Sequence, residues 1–204
     1  MPTALVCKSW PMHLPTPEQS LAWLAEGEQR NPGAWVQHSR LVGQAAQTLG
    51  TALGLNGEAA FVLGALHDIG RREGVYDMLH VLHGWRFLNK MGYPDAARIC
   101  ITHSYPIQDI HTTGRDNWDG SVEELAEVEA ALNAFAYNDY DRLIQVCDCL
   151  ADGQGYCRME QRFVDVALRR GIHEHTLPKW SAYLQAKADF EARLGCTIYH
   201  LLMS

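Results

Sequence analysis

Four places in this sequence put an ionisable or metal-ligating side chain where the pattern wants an apolar one. His38 falls in the helical stripe formed by Trp35, Val42, Ala45 and Leu49. His67-Asp68 closes the run Phe61-Val62-Leu63-Gly64-Ala65-Leu66. His103 closes Ala96 to Thr102, and Asp148 interrupts Leu143 to Ala151. A single histidine on an apolar face is ordinarily a hydrogen-bonded core residue, and an arginine could pair Asp148. Taken together, however, two carboxylates in apolar runs need neutralising, since an uncompensated buried carboxylate costs on the order of several kcal/mol. Imidazoles do this poorly alone. A divalent metal held jointly by His and Asp does it well, and helices that each turn a ligand inward can build such a centre.

The elements that must position these residues read as helices almost throughout. Thr16-Pro17-Glu18-Gln19 is a helix start, with Thr16 as N-cap and Gln19 closing a capping box, and predicts a short helix through Trp23 and Leu24. Further helices are predicted from about Asn31 to Gly54 and from Glu58 to Asp68, the latter capped by Asn56 and ended by Gly70. Others follow over 76–91, with Gly92 as the stop, and over 95–103. Ser121-x-x-Glu124 is a capping box for a helix through Phe135, and another helix runs from Asp139 to Ala151. Two closing helices cover about 159–170 and 176–194. Tyr105 to Gly120, with Pro106, Gly114 and Gly120, reads as a long loop of the kind that can cover a site. Strand-like alternation is absent, so the fold class is all-α, with one domain over residues 1–204.

Composition narrows the function classes. The chain has 204 residues, a net charge of -7 and 10 histidines. The acidic balance argues against a long nucleic acid or a membrane surface as partner, because both are polyanionic. No apolar run is long enough to span a bilayer, and Met1 to Trp10 does not read as a signal peptide, so a cytoplasmic location is expected. Cys7, Cys100, Cys147, Cys149, Cys157 and Cys196 include no Cys-x-x-Cys pair and read as reduced, packed thiols.

The order His38, His67-Asp68, Asp148 resembles the HD superfamily of metal-dependent phosphohydrolases, and His67-Asp68-Ile69-Gly70 spells its HDIG variant. The resemblance covers about Val36 to Gly153. It implies a helical bundle with its metal-binding core over about 36–153 and the helices of 159–194 packed on it. By that resemblance His38, His67, Asp68 and Asp148 hold one metal. Members with two metals add two histidines between the HD pair and the last Asp. His103 suits the second of them, and His80 or His83 the first. His80 shares a face with Gly84, Phe87, Leu88 and Met91, and His80-x-x-x-Gly84 fits those members, so His80 is chosen with His83 in reserve. His83, nearer Arg86 and Lys90, reads as substrate-facing.

Asp68 is then the catalytic bridge between two divalent ions, iron or manganese first among the candidates. Arg71 and Arg72 follow the HDIG turn and are expected to meet phosphate. The implied activity is hydrolysis of a nucleotide or other small phosphate ester. The same ligand set also serves mixed-valence di-iron oxygenases acting on an organophosphonate or polyol, and a non-catalytic nucleotide-sensing module is a third class. Asp152-Gly153-Gln154-Gly155 reads as a turn, and His111 as a loop residue. The walls of the substrate pocket are expected from the 105–120 loop and the last two helices. Neither the substrate nor the oligomeric state is written in the sequence.

Overall fold

Thr16 accepts a hydrogen bond from the Gln19 N–H and opens α1 (Pro17–Arg30), which runs longer than predicted. The computed structural model describes residues 12–113 and 118–203; Met1 to Trp10, Cys7 and Gly114 lie outside them. Next come α2 (Trp35–Ala52) and α3 (Gly57–Leu66), the latter capped by Asn56 as predicted. These two cross closely: a Cβ on Gly64 would lie 2.9 Å from the Cα of Gly43. Beyond Leu66 the chain does not continue as α-helix through Asp68. It passes through His67 and Asp68 and tightens into a 3-10 turn over Ile69–Glu73.

α4 (His80–Lys90) starts four residues later than predicted, and α5 (Pro94–Thr102) follows. A 3-10 turn (Ile110–Thr113) precedes α6 (Val122–Ala134), where both halves of the Ser121/Glu124 capping box form. α7 (Asp139–Asp148), α8 (Met159–Arg170) and α9 (Thr176–Leu194) follow. A short α10 (Ile198–Leu202), capped by Thr197, was not predicted. Among the described residues there is no strand; an isolated bridge, Ala151 to Tyr156, closes the Asp152–Gly155 turn. The fold class is all-α.

The main core packs Leu24, Val42, Leu49, Leu66, Ile69 and Leu143, and α8 to α10 add Met159, Phe163, Tyr183, Phe190 and Ile198 to it. A second cluster joins α4, α5 and α6 through Leu82, Ile101, Val128 and Leu132. Tyr105 and Ile110 belong to that cluster, so this part of the predicted loop is anchored in the core rather than free to cover a site. Cys100, Cys147 and Cys149 are buried free thiols, and Cys157 and Cys196 are half-buried ones. No helix among the described residues is long and apolar enough to cross a membrane.

Candidate metal centre

Five elements deliver the candidate ligands. His38 lies in the first turn of α2, and His67 and Asp68 at the junction of α3 with the 3-10 turn. His80 opens α4, His103 follows α5, and Asp148 ends α7. Two glycines draw three of these elements together. A Cβ on Gly70 would sit 1.9 Å from the His80 carbonyl oxygen, and one on Gly84 would sit 2.7 Å from Cys100 Sγ. The 3-10 turn and α4 therefore meet backbone to backbone, and α5 packs on α4 through the Cys100 side chain. Gly70 does not stop a helix, as the sequence suggested; its φ is not positive, and its work is this close approach.

The side chains converge. His38 Nε2 lies 2.9 Å from Asp148 Oδ1 and 3.3 Å from His67 Nε2, and His67 Nε2 lies 3.7 Å from Asp148 Oδ1. On the other side, Asp68 Oδ1 is 3.1 Å from His80 Nε2 and 3.6 Å from His103 Nε2. His67, Asp68, His80 and His103 are each at most 5% exposed. His38, His67 and Asp68 form one group with ligand atoms within 4.8 Å of one another, and Asp68, His80 and His103 form another. His67, His103 and Asp148 form a third. Asp68, His67 and His103 each belong to two of the three, but only Asp68, a carboxylate, has two oxygens to divide between two ions.

Three of the imidazoles are held by the main chain. Nδ1 of His67 meets the carbonyl of Gly64 at 2.7 Å, that of His80 meets Asp77 at 2.8 Å, and that of His103 meets Ile99 at 3.0 Å. A carbonyl only accepts, so each Nδ1 carries a proton and Nε2, facing the cluster, is the nitrogen left to bind a cation. Asp68 Oδ1 is buried without a hydrogen bond. Inward lone pairs around an unsatisfied carboxylate oxygen fit a divalent cation.

Burial would push the Asp68 carboxyl up, but Arg71, His80 and His67 outweigh it and hold it well below the usual carboxylate range. Asp148 is likewise held low, its desolvation overcome by His38 and His67. Burial, with the neighbouring His67, pushes His103 down to about 3. Burial and Arg71 lower His80. His67 goes the other way: burial pulls it down, and Asp68 and Asp148 more than compensate. The cluster thus favours ionised carboxylates beside neutral rings at His80 and His103. It lies in a cleft of about 650 Å³.

Comparison with family models matches residues 35–152 to the HD domain, more than half of the chain. The chain belongs to the HD domain family. Comparison with curated proteins and with solved structures finds no match. The matched stretch of this HD domain runs from the start of α2 to the turn after α7 and contains all six converging residues.

Around the cluster, the HD domain separates the residues expected to meet substrate. Arg71 lines the cleft, its Nε–H donating to Asp68 Oδ2 at 2.6 Å and its Nη1 to the Tyr76 carbonyl at 3.1 Å. Arg72 does not join it. It is buried against α1, donates to Glu26 and stacks over Phe87 at 4.2 Å. Residues three apart eclipse on a 3-10 turn and consecutive ones diverge, so Arg71 lies over Asp68 while Arg72 turns away. His83 packs its ring edge-on against Tyr76, 4.7 Å between centroids, and is not part of the cleft wall.

Two positioning groups escaped the sequence reading. Asp119 accepts from the N–H groups of Asp77, Met78 and Leu79 at 2.6, 3.0 and 2.8 Å, capping α4 from the far end of the 105–120 stretch. These backbone donors lower its pKa, despite partial burial that acts in the opposite direction. The same three residues therefore stay outside the helix, and the Asp77 carbonyl is set to hold His80. Buried Asp141 pairs with Arg98, accepts from Thr102 Oγ1 at 2.8 Å, and so locks α5 to α7, which carry His103 and Asp148.

Proposed function

We propose that this chain is a metal-dependent phosphohydrolase acting on a nucleotide or other small phosphate ester, with Asp68 as its central residue. The supporting observation is that Asp68, the one carboxylate found in two of the three ligand groups, lies on the wall of a cleft that also carries Arg71. In this reading His38, His67, Asp68 and Asp148 hold one divalent ion, and Asp68, His80 and His103 hold a second. Iron or manganese suits the His/Asp set. Such ions, when bound, supply an activated water and stabilise charge on phosphoryl oxygens.

The protein's own part follows from the geometry. The main-chain carbonyls on His67, His80 and His103 fix which nitrogen faces the cleft. Arg71 and its neighbours keep Asp68 ionised. Two of the five guanidinium N–H donors of Arg71 go to Asp68 and Tyr76, and its Nη2 lies 3.4 Å from His80 Nε2; from this place on the cleft wall the remaining donors would meet a phosphoryl oxygen. A cleft of about 650 Å³ suits a small ester rather than a polymer.

The test is an activity screen on iron- and manganese-loaded protein, run with and without oxygen, on a nucleotide panel and an artificial phosphate ester. Phosphate release without oxygen uptake is expected. Oxygen uptake with an organophosphonate or a polyol, and no phosphate ester turnover, would replace this reading with the di-iron oxygenase one.

A further inference from the structure

A second cavity, of about 280 Å³, lies beside the cleft and shares Asp77, Met78, Asp148, Arg162 and Arg170 with it. Its far wall comes from α8 and α9, beyond the residues that match the HD domain. That wall is aromatic. Phe163 and Trp180 stack with centroids 5.1 Å apart and rings 7° from parallel, and Tyr183 packs 5.9 Å from Phe163. Ala167 adds to the apolar surface.

The polar contribution is mainly cationic. Arg170 is paired with Asp77, but the Lys179 ammonium lines the cavity with no hydrogen bond or ion pair to another described residue. Burial pushes the Lys179 ammonium below its ordinary value, and an acceptor brought beside it would offset that loss. Mostly apolar walls with a few fixed polar groups are the usual make-up of a small-molecule pocket. The volume is at the small end, sized for one ring system.

We propose that the α8–α9 cavity receives the organic portion of the phosphate substrate, and that the portion it takes is a planar ring bearing a hydrogen-bond acceptor. The proposal rests on the phosphohydrolase reading for its phosphate end. The phosphate would lie by Arg71 and Asp68, the ring would pass the shared Asp148 edge and lie along Trp180, and its acceptor would meet Lys179. A nucleobase has both features, whereas the ring of phenyl phosphate has the plane without the acceptor.

Calorimetric titration of metal-loaded protein with AMP, phenyl phosphate, glycerol phosphate and inorganic phosphate tests it. At least one planar ester should bind about tenfold more tightly than glycerol phosphate, the scale of one good stacking contact. AMP should also lead phenyl phosphate, and phenyl phosphate binding as tightly as AMP overturns the acceptor contact at Lys179. Ala167→Trp, which fills the cavity, and Lys179→Met should bring the ratio toward one. Leu168→Trp, at a side chain 84% exposed and outside the cavity, should keep it. Equal binding of planar and non-planar esters by the unaltered protein overturns the proposal, as does an undiminished ratio in Ala167→Trp. Failure of the phosphohydrolase reading has a different signature, namely no binding of inorganic phosphate. Even then adenosine or phenol should quench Trp180 fluorescence, read as the difference from Trp180→Phe, and no quench by either rejects the pocket itself.

Discussion

Arg71 donates its Nε–H to Asp68 Oδ2 at 2.6 Å because the two residues eclipse on one 3-10 turn. The neighbouring Arg72 is sent to the opposite side, under Phe87 and onto Glu26. The two arginines should therefore fail differently. Arg71→Ala should lower phosphate ester turnover by roughly 10²-fold, as loss of a charge-stabilising donor does, with little change in melting temperature. Arg72→Ala should spare turnover and cost about 1–2 kcal/mol of stability through the lost packing of its buried side chain against Phe87. Kinetics and chemical denaturation of the two variants, side by side, decide it; equal kinetic loss in both would contradict the assignment.

Asp68→Ala should abolish metal retention and activity together, since two of the three ligand groups lose their shared carboxylate. His13→Ala should leave both intact. His13 hydrogen-bonds the Gly92 carbonyl and stacks on Tyr93, away from the cluster. Elemental analysis after reconstitution is the measurement, and full metal content in Asp68→Ala would show that the bridge is misplaced.

Asp119→Ala should loosen the start of α4 and with it His80. Metal at the His80/His103 side should weaken by roughly 10–100-fold, the usual scale for losing an outer-shell partner, while the His38/His67 side holds. Asp119→Asn, which keeps one acceptor, should recover part of this. Metal stoichiometry against free metal concentration reads it out, and an unshifted curve for Asp119→Ala would remove Asp119 from the positioning of His80.

What could be read from the sequence, and what could not, follows from these contacts. His38, His67-Asp68, His103 and Asp148 stood out because each interrupts a local apolar pattern, a signal within one helix. His80 could be preferred over His83 because helical spacing put it on the face of Gly84. Arg71 and Arg72 read alike in the sequence because both follow the HDIG turn, and it is the tight 3-10 geometry that sends their side chains apart. The start of α4 was set too early because the N–H groups of 77–79 bond to Asp119, some forty residues on. No local window contains that contact, and the five-residue α10 offers too little periodicity to be seen.

Gly70→Ala adds a methyl group where the His80 carbonyl already stands, and a backbone atom cannot swing aside. The expected cost is roughly 3 kcal/mol, at the upper end for overpacking, with metal binding at His80 impaired as well. A denaturation midpoint equal to that of the unaltered protein would mean that the turn and α4 can separate freely.

Metal-free protein should lose stability on acidification. His80 and His103 have pKa values lowered from 6.5, the latter to about 3, so the unfolded chain binds more protons between these limits. Stability then rises with pH across that window and falls as pH drops through it. His67, raised above 6.5, acts in the opposite sense: its contribution is complete below 6.5 and fades as pH climbs through its folded value. Asp68 and Asp148, held well below 3.8, add a further loss under that value. Urea midpoints of chelator-treated protein at pH 7, 6 and 5 should decline in that order; a rise toward pH 5 would mean that His67 dominates.

The rings of His67, His80 and His103 lean on carbonyls of Gly64, Asp77 and Ile99, not on side chains. No substitution deletes a carbonyl, so the proton arrangement of these ligands cannot drift one mutation at a time, as it could with an aspartate partner. What it is exposed to is fraying. Unwinding of the last turn of α3 or α5, or of the segment leading into α4, releases a ring and its inward nitrogen in one step. Hydrogen-exchange rates of those three short stretches should therefore track the rate at which the centre gives up its ion.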